Sequence, residues 1–312
     1  MQIWRSLDDV PDDLARTAVV IGNFDGVHLG HRRVLARARQ LADEGDLIVV
    51  AVTFDPHPMA VLRPEHAPTM LTTIETRAEL LGERGVDAVL ALPFDRAMAA
   101  WEPLEFCRRV LVETLHAAAV VVGANFRFGA RAAGDLATLA SAGAGHDFSA
   151  VGVILDGGPM VWSSTYIRTC LASGDVAGAA EALGRPYSVR GVVERGERRG
   201  RELGFPTANV SAGGGLVAAP ADGVYAGWLR RLDTEETYPA AISVGTNPTF
   251  DGVRDRRVES YVLDHTDLDL YDVEIEVSFV ERLRAMVAFD SVDALVDQMH
   301  DDVRHAREVL VA

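Results

Sequence analysis

The sequence contains no lysine: all 30 of the cationic side chains among its 312 residues are arginine. A Walker A loop uses a lysine to contact nucleotide phosphates, so that class of nucleotide-binding protein is excluded. Positive charge is also scarce relative to negative charge, because 46 acidic residues leave a net charge of −16. Binding to a nucleic-acid backbone needs clustered cations, and this balance therefore argues against a nucleic-acid partner.

Cysteines and long apolar runs are scarce as well. Cys107 and Cys170 lie far apart and form no Cys-x-x-Cys pair, so neither a zinc site nor a disulfide framework is predicted. No apolar run approaches the length of a membrane span, and acidic N-terminal residues such as Asp8 and Asp9 are not typical of a signal peptide. We therefore expect a cytoplasmic protein with no membrane partner, and a chain of 312 residues suits two domains.

Residues 20–31 are typical of a turn that binds phosphate. The apolar, β-branched residues before this turn predict a buried strand, and the Arg- and Leu-rich residues after it predict a helix. The first N–H groups of such a helix lack partners and carry the positive end of its dipole, so they favour an anion. His28 and His31 can donate hydrogen bonds to a phosphoryl group, and Gly30 lets the backbone approach closely. Solvated histidines are the plainer alternative, but their position at a strand-to-helix turn favours the phosphate site.

Over residues 17–183, apolar strands alternate with helices. Continuous apolar strands separated by helices predict an α/β fold with a parallel sheet covered on both faces. Ligands bind beyond the carboxyl ends of the strands in such a sheet. The predicted strands span residues 18–21, 47–54, 88–93, 118–122 and 150–155, and the predicted helices span residues 31–44, 76–84, 103–115 and 134–142.

Three further loops follow the carboxyl ends of these strands. Loop 53–58 has prolines that favour an extended conformation beside an aromatic ring, which fits either one wall of a site for a flat ligand or a rigid surface turn. Loop 123–129 offers the amide of Asn125 and the guanidinium of Arg127, and core packing would explain its two phenylalanines but not Arg127. Segment 163–168 begins a helix with three hydroxyl side chains, which serve either as N-caps or as phosphate ligands beside an arginine.

After residue 187 the pattern changes. Short β-branched and aromatic segments alternate with glycine, proline and Asp or Asn turns, which is typical of a small antiparallel β-barrel. From Ser291 onward, apolar residues recur at helical spacing, and we expect a C-terminal helix that is capped by Ser291 and packs on the barrel. We place the domains at residues 1–184 and 187–312. The predicted strands of the second domain span residues 187–193, 224–229, 241–244, 258–263 and 273–280.

Residues 200–209 are the most informative run of the second domain. Thr207 and Asn209 are separated by one residue, so in an extended segment both side chains point the same way and can offer two neutral oxygens to Mg²⁺. A hydrogen-bonded pair at the end of a strand is the alternative. Glu259 lies within an apolar and aromatic strand, where a carboxylate must face water or a site, and it can serve as a base.

Taken in order, these motifs resemble those of the bacterial bifunctional riboflavin kinase/FAD synthetases across essentially the whole chain. The resemblance rests on residues 22–31, 53–58, 123–129, 163–168 and 204–209, on Asn247-Pro248-Thr249-Phe250 and on the strand of Glu259. It implies an N-terminal, Rossmann-like nucleotidyltransferase that joins the AMP part of ATP to FMN and releases pyrophosphate. It also implies a C-terminal barrel that phosphorylates riboflavin to FMN. The implied partners are riboflavin, FMN and ATP, with Mg²⁺ as the cofactor, and the oligomeric state is not indicated.

The resemblance also implies a role for individual residues. His28, His31 and Glu259 are the expected catalytic residues, with Glu259 as the general base of the kinase, and Thr207 and Asn209 are expected to hold Mg²⁺ with ATP. Loop 196–204 is expected to be a mobile flap over the phosphates. The flavin cleft of the first domain is expected at Phe54, Pro56, Pro58 and Phe128. Contacts to ATP or its phosphates are expected from Gly22, Asn23, Phe24, Asp25, Gly30, Asn125, Arg127, Ser164, Thr165, Arg168, Gly204 and Pro206.

Two other functions compete with this hypothesis. A nucleotidyltransferase with one activity, whose barrel only binds a ligand, would leave Thr207, Asn209 and Glu259 unexplained. A flavin carrier without catalytic activity would need neither the two histidines nor metal ligands beside a base. The enzyme with two activities explains both sets of residues, and we favour it.

Overall fold

The computed structural model describes residues 1–154, 162–194, 204–246, 256–265 and 268–311. Residues 196–203 of the expected flap and the run Asn247-Pro248-Thr249-Phe250 lie outside the described residues. The chain forms two compact units, Met1–Pro68 with Thr72–Ser163, and Thr69–Leu71 with Ser164–Ala312. The functional boundary at residues 184–187 stays a prediction.

The first unit is built on a six-stranded, fully parallel sheet with the strand order β1-β4-β3-β2-β5-β6. The parallel sheet predicted from the apolar runs is therefore confirmed. The three-residue edge strand β1 was not predicted. The strands are β1 (Gln2–Trp4), β2 (Thr17–Ile21), β3 (Ile48–Asp55), β4 (Ala88–Pro93), β5 (Ala117–Gly123) and β6 (Ser149–Val153).

Helices cover both faces of this sheet, as expected. Ala18 and Val20 pack on the face that carries α1 and α3, and Val19 and Ile21 pack on the face that carries α4 and α5. The helices are α1 (Leu29–Gly45), α2 (Pro58–Leu62), α3 (Ile74–Gly82), α4 (Pro103–Phe106) and α5 (Leu136–His146), and α4 continues into wider, π-helical turns over Cys107–Thr114. Short 3₁₀ helices span Leu7–Asp9, Pro64–His66, Met98–Ala100 and Ala130–Ala132.

The second unit contains a curled six-stranded antiparallel sheet with the order β7-β12-β9-β10-β11-β8. Its two edges meet where the backbone N–H of Glu194 donates to the carbonyl of Asn209 at 2.9 Å, so the predicted small antiparallel barrel is confirmed. Two helices precede it, α6 (Ser164–Ser173) and α7 (Val176–Leu183). The strands are β7 (Tyr187–Val192), β8 (Thr207–Ser211), β9 (Gly223–Arg231), β10 (Thr237–Thr246), β11 (Arg256–Val262) and β12 (Glu274–Arg284), and a 3₁₀ helix spans Ala212–Gly215.

The C-terminal helix α8 (Val292–Val311) packs on this barrel, as predicted. Its first turn is capped by Ser291, whose Oγ accepts a hydrogen bond from the backbone N–H of Ala294 at 3.1 Å. The fully buried Ala306 packs against Ala226 and Ala241 of the sheet. Among the described helices, α8 included, none combines the length and apolarity that a membrane span requires.

Candidate active sites

The turn between β2 and α1 brings His28 and His31 together. His28 is the N-cap residue of α1, and its Nδ1 accepts a hydrogen bond from the backbone N–H of His31 at 3.4 Å. The two imidazole rings stack with their centroids 3.6 Å apart. A Cβ on Gly30 would lie 3.0 Å from Cε1 of His28, so the glycine makes room for this ring. Gly30 therefore leaves room for the ring of His28, and the close approach of its backbone to a phosphate stays a prediction.

Burial keeps both imidazoles neutral at neutral pH. Desolvation lowers the pKa of the nearly inaccessible His28 to about 4. Desolvation, followed by the nearby His28 and the charge of Arg77, lowers the pKa of His31 well below its ordinary value. Because Nδ1 of neutral His28 accepts a hydrogen bond, its proton is assigned to Nε2, where it can be donated to an anion.

The backbone of this turn adopts conformations that side chains disfavour. Phe24 has a φ of 48° and the β-branched Val27 a φ of 44°, and both residues are fully buried. The ring of Phe24 meets that of His31 edge-on at 5.2 Å. The turn therefore places the ring of Phe24 against the imidazole of His31, and the surrounding contacts must compensate for the strain.

Loop 53–58 is attached to the same turn. The side-chain amide of Asn23 lies 3.0 Å from Nε2 of His57, whose Nδ1 accepts a hydrogen bond from the backbone N–H of Met59. The extended conformation expected at both prolines is wrong for Pro58, which begins α2 because proline suits the first position of a helix. Sequence reasoning missed His57, although it stands between the two prolines.

The aromatic and polar residues of the first unit that were expected to contact the flavin and ATP lie in different environments. Phe54 meets Phe94 edge-on at 5.7 Å, whereas Phe128 is buried in the core and stacks on Phe126 at 5.6 Å. Core packing, the alternative for Phe128, is therefore present, and its flavin role stays a prediction. Pro56, Asn125 and Arg127 are exposed. Nη1 of Arg127 donates a hydrogen bond to Oδ2 of Asp135 at 3.0 Å.

Five further expected ATP contacts lie in the second unit. Ser164 and Thr165 begin α6, and Nε of Arg168 donates to the carbonyl of Thr69 at 2.7 Å. Gly204 has a φ of 87°, a conformation that glycine tolerates, and it precedes Pro206 and β8. The contribution of these residues to a nucleotide site stays a prediction.

The second site is formed by one row of residues that crosses the barrel sheet. Asn209 of β8 lies opposite Glu259 of β11, which lies opposite Ser243 of β10. Thr207 lies on the same face of β8, and its Oγ1 accepts a hydrogen bond from Nδ2 of Asn209 at 3.2 Å. The hydrogen-bonded pair that was the alternative to a metal site is therefore present, and the metal role stays a prediction. Hydroxyl, amide and carboxylate oxygens nevertheless share one face.

A cavity of about 260 Å³ adjoins this row beneath α8. Thr207, Ser243 and Glu259 line its polar side, and the ring of Phe205 and the side chains of α8 line its apolar side. Arg284 and Asp302 also line it and form two hydrogen bonds with each other, of 2.8 and 2.7 Å. Sequence reasoning missed this pair, although a carboxylate at residue 302 interrupts the apolar stripe of the predicted helix.

Clusters of the usual metal ligands are absent from the described part of both units. Among the described residues, no group of three or more His, Cys, Asp or Glu side chains could hold a metal ion. The oxygens of Thr207, Asn209 and Glu259 are of the type that Mg²⁺ takes, usually together with water and substrate phosphates. The donor set is therefore compatible with Mg²⁺ bound together with a nucleotide.

A parallel α/β unit with two histidines at a strand-to-helix turn, joined to a barrel that places a carboxylate beside neutral oxygens, is the arrangement expected of a transferase with two sites. The family model for FAD synthetase matches residues 10–156, and that for riboflavin kinase matches residues 183–310. The chain is 37% identical to the bifunctional riboflavin kinase/FMN adenylyltransferase of Escherichia coli K12 over 292 residues, which are 93% of this chain and 91% of that relative. It is also 37% identical to the Pseudomonas fluorescens protein of the same name, over 98% of this chain and 97% of the relative.

A solved structure from Streptococcus pneumoniae, described as a macrolide-efflux protein, matches with a TM-score of 0.86 and 31% identity over 98% of both chains. The chain belongs to the bifunctional riboflavin kinase/FMN adenylyltransferase family, an enzyme family of flavin cofactor biosynthesis. The resemblance noted in the motifs is therefore confirmed at the level of the family.

Proposed function

We propose that the first unit transfers the AMP part of ATP to FMN, with formation of FAD and release of pyrophosphate. The attacking group is a phosphate oxygen of FMN that is already anionic, so the reaction needs no strong base. The site must instead stabilise the charge that develops around the α-phosphate. The stacked, neutral pair of His28 and His31 at the start of α1 supports this role, because an approaching anion raises the pKa of an imidazole and strengthens its hydrogen bonds.

In the same proposal, the second unit phosphorylates riboflavin with ATP to form FMN. The attacking group is an alcohol, whose proton must be removed as the new bond to phosphorus forms. Glu259 is the general base, because its carboxylate lines the cavity beneath α8. Thr207 and Asn209 would hold Mg²⁺, which supplies positive charge to the phosphates of ATP.

The proposal extends to partners and location. Riboflavin, FMN and ATP are the small-molecule partners, and neither nucleic acid nor a membrane is a partner. The protein acts in the cytoplasm. Gly22, Asn23, Phe24, Asp25 and Gly30 form the phosphate turn of the first site, and Phe54, Pro56 and Pro58 form one wall for the flavin.

The observation that carries the proposal is the presence of two separate constellations, His28 with His31 in one unit and Glu259 with Thr207 and Asn209 in the other. The test is chromatography of the products formed from riboflavin, ATP and Mg²⁺. Glu259→Ala should abolish FMN formation from riboflavin and leave FAD formation from supplied FMN intact.

His28→Ala should give the opposite result and stop the reaction at FMN. The exposed residues Glu274 and His146 provide matched controls, and Glu274→Ala and His146→Ala should retain both activities. Loss of both activities in a folded Glu259→Ala protein would contradict the assignment of one activity to each unit. Loss of neither activity would show that Glu259 is not the general base.

A further inference from the structure

Arg77 is the largest fully buried side chain of the described residues, and it lies beneath the phosphate turn. It belongs to α3 and is 2% exposed. Burying a guanidinium is costly unless its donors are satisfied. Its Nη1 donates to Oγ1 of Thr53 at 3.2 Å, its Nη2 donates to the carbonyl of Thr72 at 3.2 Å, and its Nε lies 3.4 Å from Oγ1 of Thr72. The guanidinium is therefore held by partners from two other segments of the first unit.

Each partner is bonded in turn to the phosphate turn. Oγ1 of Thr53 donates to the carbonyl of Asn23 at 3.0 Å. Asp25 is 1% exposed, and its Oδ1 accepts hydrogen bonds from both the backbone N–H and the hydroxyl of Thr72, at 3.1 and 3.2 Å. Nη2 of Arg77 also lies 3.5 Å from this oxygen. Arg77 is thus at the centre of a network that attaches the turn to β3 and to α3.

This network acts where the backbone needs support. Asn23 and Asp25 flank Phe24, whose left-handed conformation orients its ring against His31. A strained conformation persists only when its surroundings fix it. The network of Arg77 reaches Asn23 through Thr53 and Asp25 through Thr72, so it holds both sides of Phe24, the residue whose ring packs against His31.

We propose that Arg77 is a positioning residue for adenylyl transfer, which fixes the histidine pair through Thr53, Thr72 and Asp25 without touching the nucleotide. The inference rests on the proposed function of the first unit. The ion pair with Asp25 alone is a weaker explanation, because its 3.5 Å separation is longer than the contacts of Arg77 to threonine oxygens. A planar fork with several donors suits this geometry, whereas the ammonium of a lysine does not.

The test compares Arg77→Met and Arg77→Lys with the exposed control Arg84→Met, which lies just beyond α3. We expect kcat/KM for FAD formation to fall about 100-fold in Arg77→Met, because small misplacements of reacting groups have effects of this size. Arg77→Lys should lose about 10-fold, because it keeps the charge and loses the fork. Riboflavin phosphorylation should stay within about twofold in all three variants, since the residues proposed for it belong to the other unit.

The pH profile distinguishes positioning from a general loss of structure. His28 and Arg77 are the neighbours that, with burial, lower the pKa of His31. Removing the charge of Arg77 raises that pKa, so the acid limb of the profile for FAD formation should move to higher pH in Arg77→Met. It should stay in place in Arg77→Lys, because a lysine is charged at acid pH.

A double variant keeps the test decisive if Arg77→Met does not fold. Asp25→Asn/Arg77→Met leaves no unpaired buried charge and keeps an acceptor for Thr72, and Asp25→Asn alone is its reference. FAD formation in the double variant should remain far below that of Asp25→Asn. Equal rates of FAD formation in the double variant and in Asp25→Asn would overturn the inference. So would a kcat/KM for FAD formation in Arg77→Met within about threefold of the parent value.

His28→Ala separates the two possible failures. If it forms FAD normally, the histidine pair does not act in adenylyl transfer, and the role that Arg77 is given through that pair is wrong as well. If it forms no FAD while Arg77→Met remains active, the function stands and only the role of Arg77 is wrong.

Discussion

Replacing Arg284 with methionine should weaken the attachment of helix α8 to the barrel. Nε and Nη2 of Arg284 donate to Oδ1 and Oδ2 of Asp302 at 2.8 and 2.7 Å, and the side chains are only 21% and 9% exposed. Removing one partner of a buried ion pair costs about 3–5 kcal/mol, since the other charge stays buried. Arg284 is partly hydrated and Gln298 still donates to Asp302 at 3.0 Å, so we expect about 2–3 kcal/mol here.

Hydrogen exchange of peptides from α8 measures this loss directly, because amides of the helix exchange when it opens. The opening free energy of α8 should fall in Arg284→Met, and the KM for riboflavin should rise because α8 forms one wall of the cavity. The KM for FMN in FAD formation should not change. Arg304→Met removes an exposed pair on the same helix and should change the opening free energy by less than about 0.5 kcal/mol.

The double variant Arg284→Met/Asp302→Leu tests whether the loss of stability comes from the carboxylate that is left unpaired. Replacing both charges by apolar side chains removes the buried, unpaired carboxylate, so most of the lost free energy should return. A change in Arg284→Met no larger than that of the exposed control would refute the reasoning, because the pair would then contribute no more than a surface ion pair. A double variant as unstable as the single one would refute it as well.

Three other predictions follow from the two sites. Burial lowers the pKa of His28 from its ordinary 6.5 to about 4, so between these pH values the unfolded chain binds a proton that the folded chain does not. The free energy of unfolding, measured with urea, should be constant above pH 6.5 and fall by up to about 3 kcal/mol as the pH falls towards 4. A free energy of unfolding that does not change with pH would contradict this. Gly30→Ala places a methyl group 3.0 Å from His28 and should slow FAD formation about 100-fold, whereas Gly145→Ala, which meets nothing within 4 Å, should not; equal rates would show that the ring need not lie there. Asn209→Ala should raise the Mg²⁺ concentration for half-maximal FMN formation about 10-fold without affecting FAD formation, and an unchanged requirement would exclude Asn209 as a ligand.

Features that depend on neighbouring residues were predictable from the sequence. The apolar run of β2 predicted a strand buried on both faces, and adjacent residues of that strand do pack on opposite faces. The cap at Ser291 was predictable because an N-cap bonds within three residues of itself. The spacing of Thr207 and Asn209 predicted a shared face, because alternate residues of a strand point the same way.

Features that depend on distant partners were not predictable. Arg77 falls on the same stripe as the buried Ala78 and Leu81, so burial could have been inferred from spacing, but its partner Thr53 lies 24 residues away. The partner of Arg284 is 18 residues further along the chain. The wide turns of Cys107–Thr114 escaped prediction because their apolar positions also fit an ordinary α-helix.

The absence of lysine has a physical consequence at the first site. A buried lysine readily loses its proton, whereas a buried arginine keeps its charge at any pH that a cell experiences. The cation beneath the phosphate turn is Arg77, and its constant charge opposes protonation of His31 until an anion arrives. Burial is the main reason that the pKa of both imidazoles is lowered, and the permanent charge of Arg77 adds to this effect at His31, so the pair is neutral when a phosphate approaches. The kinase site has the opposite requirement, because its alcohol substrate must lose a proton, and there a carboxylate, Glu259, lines the cavity.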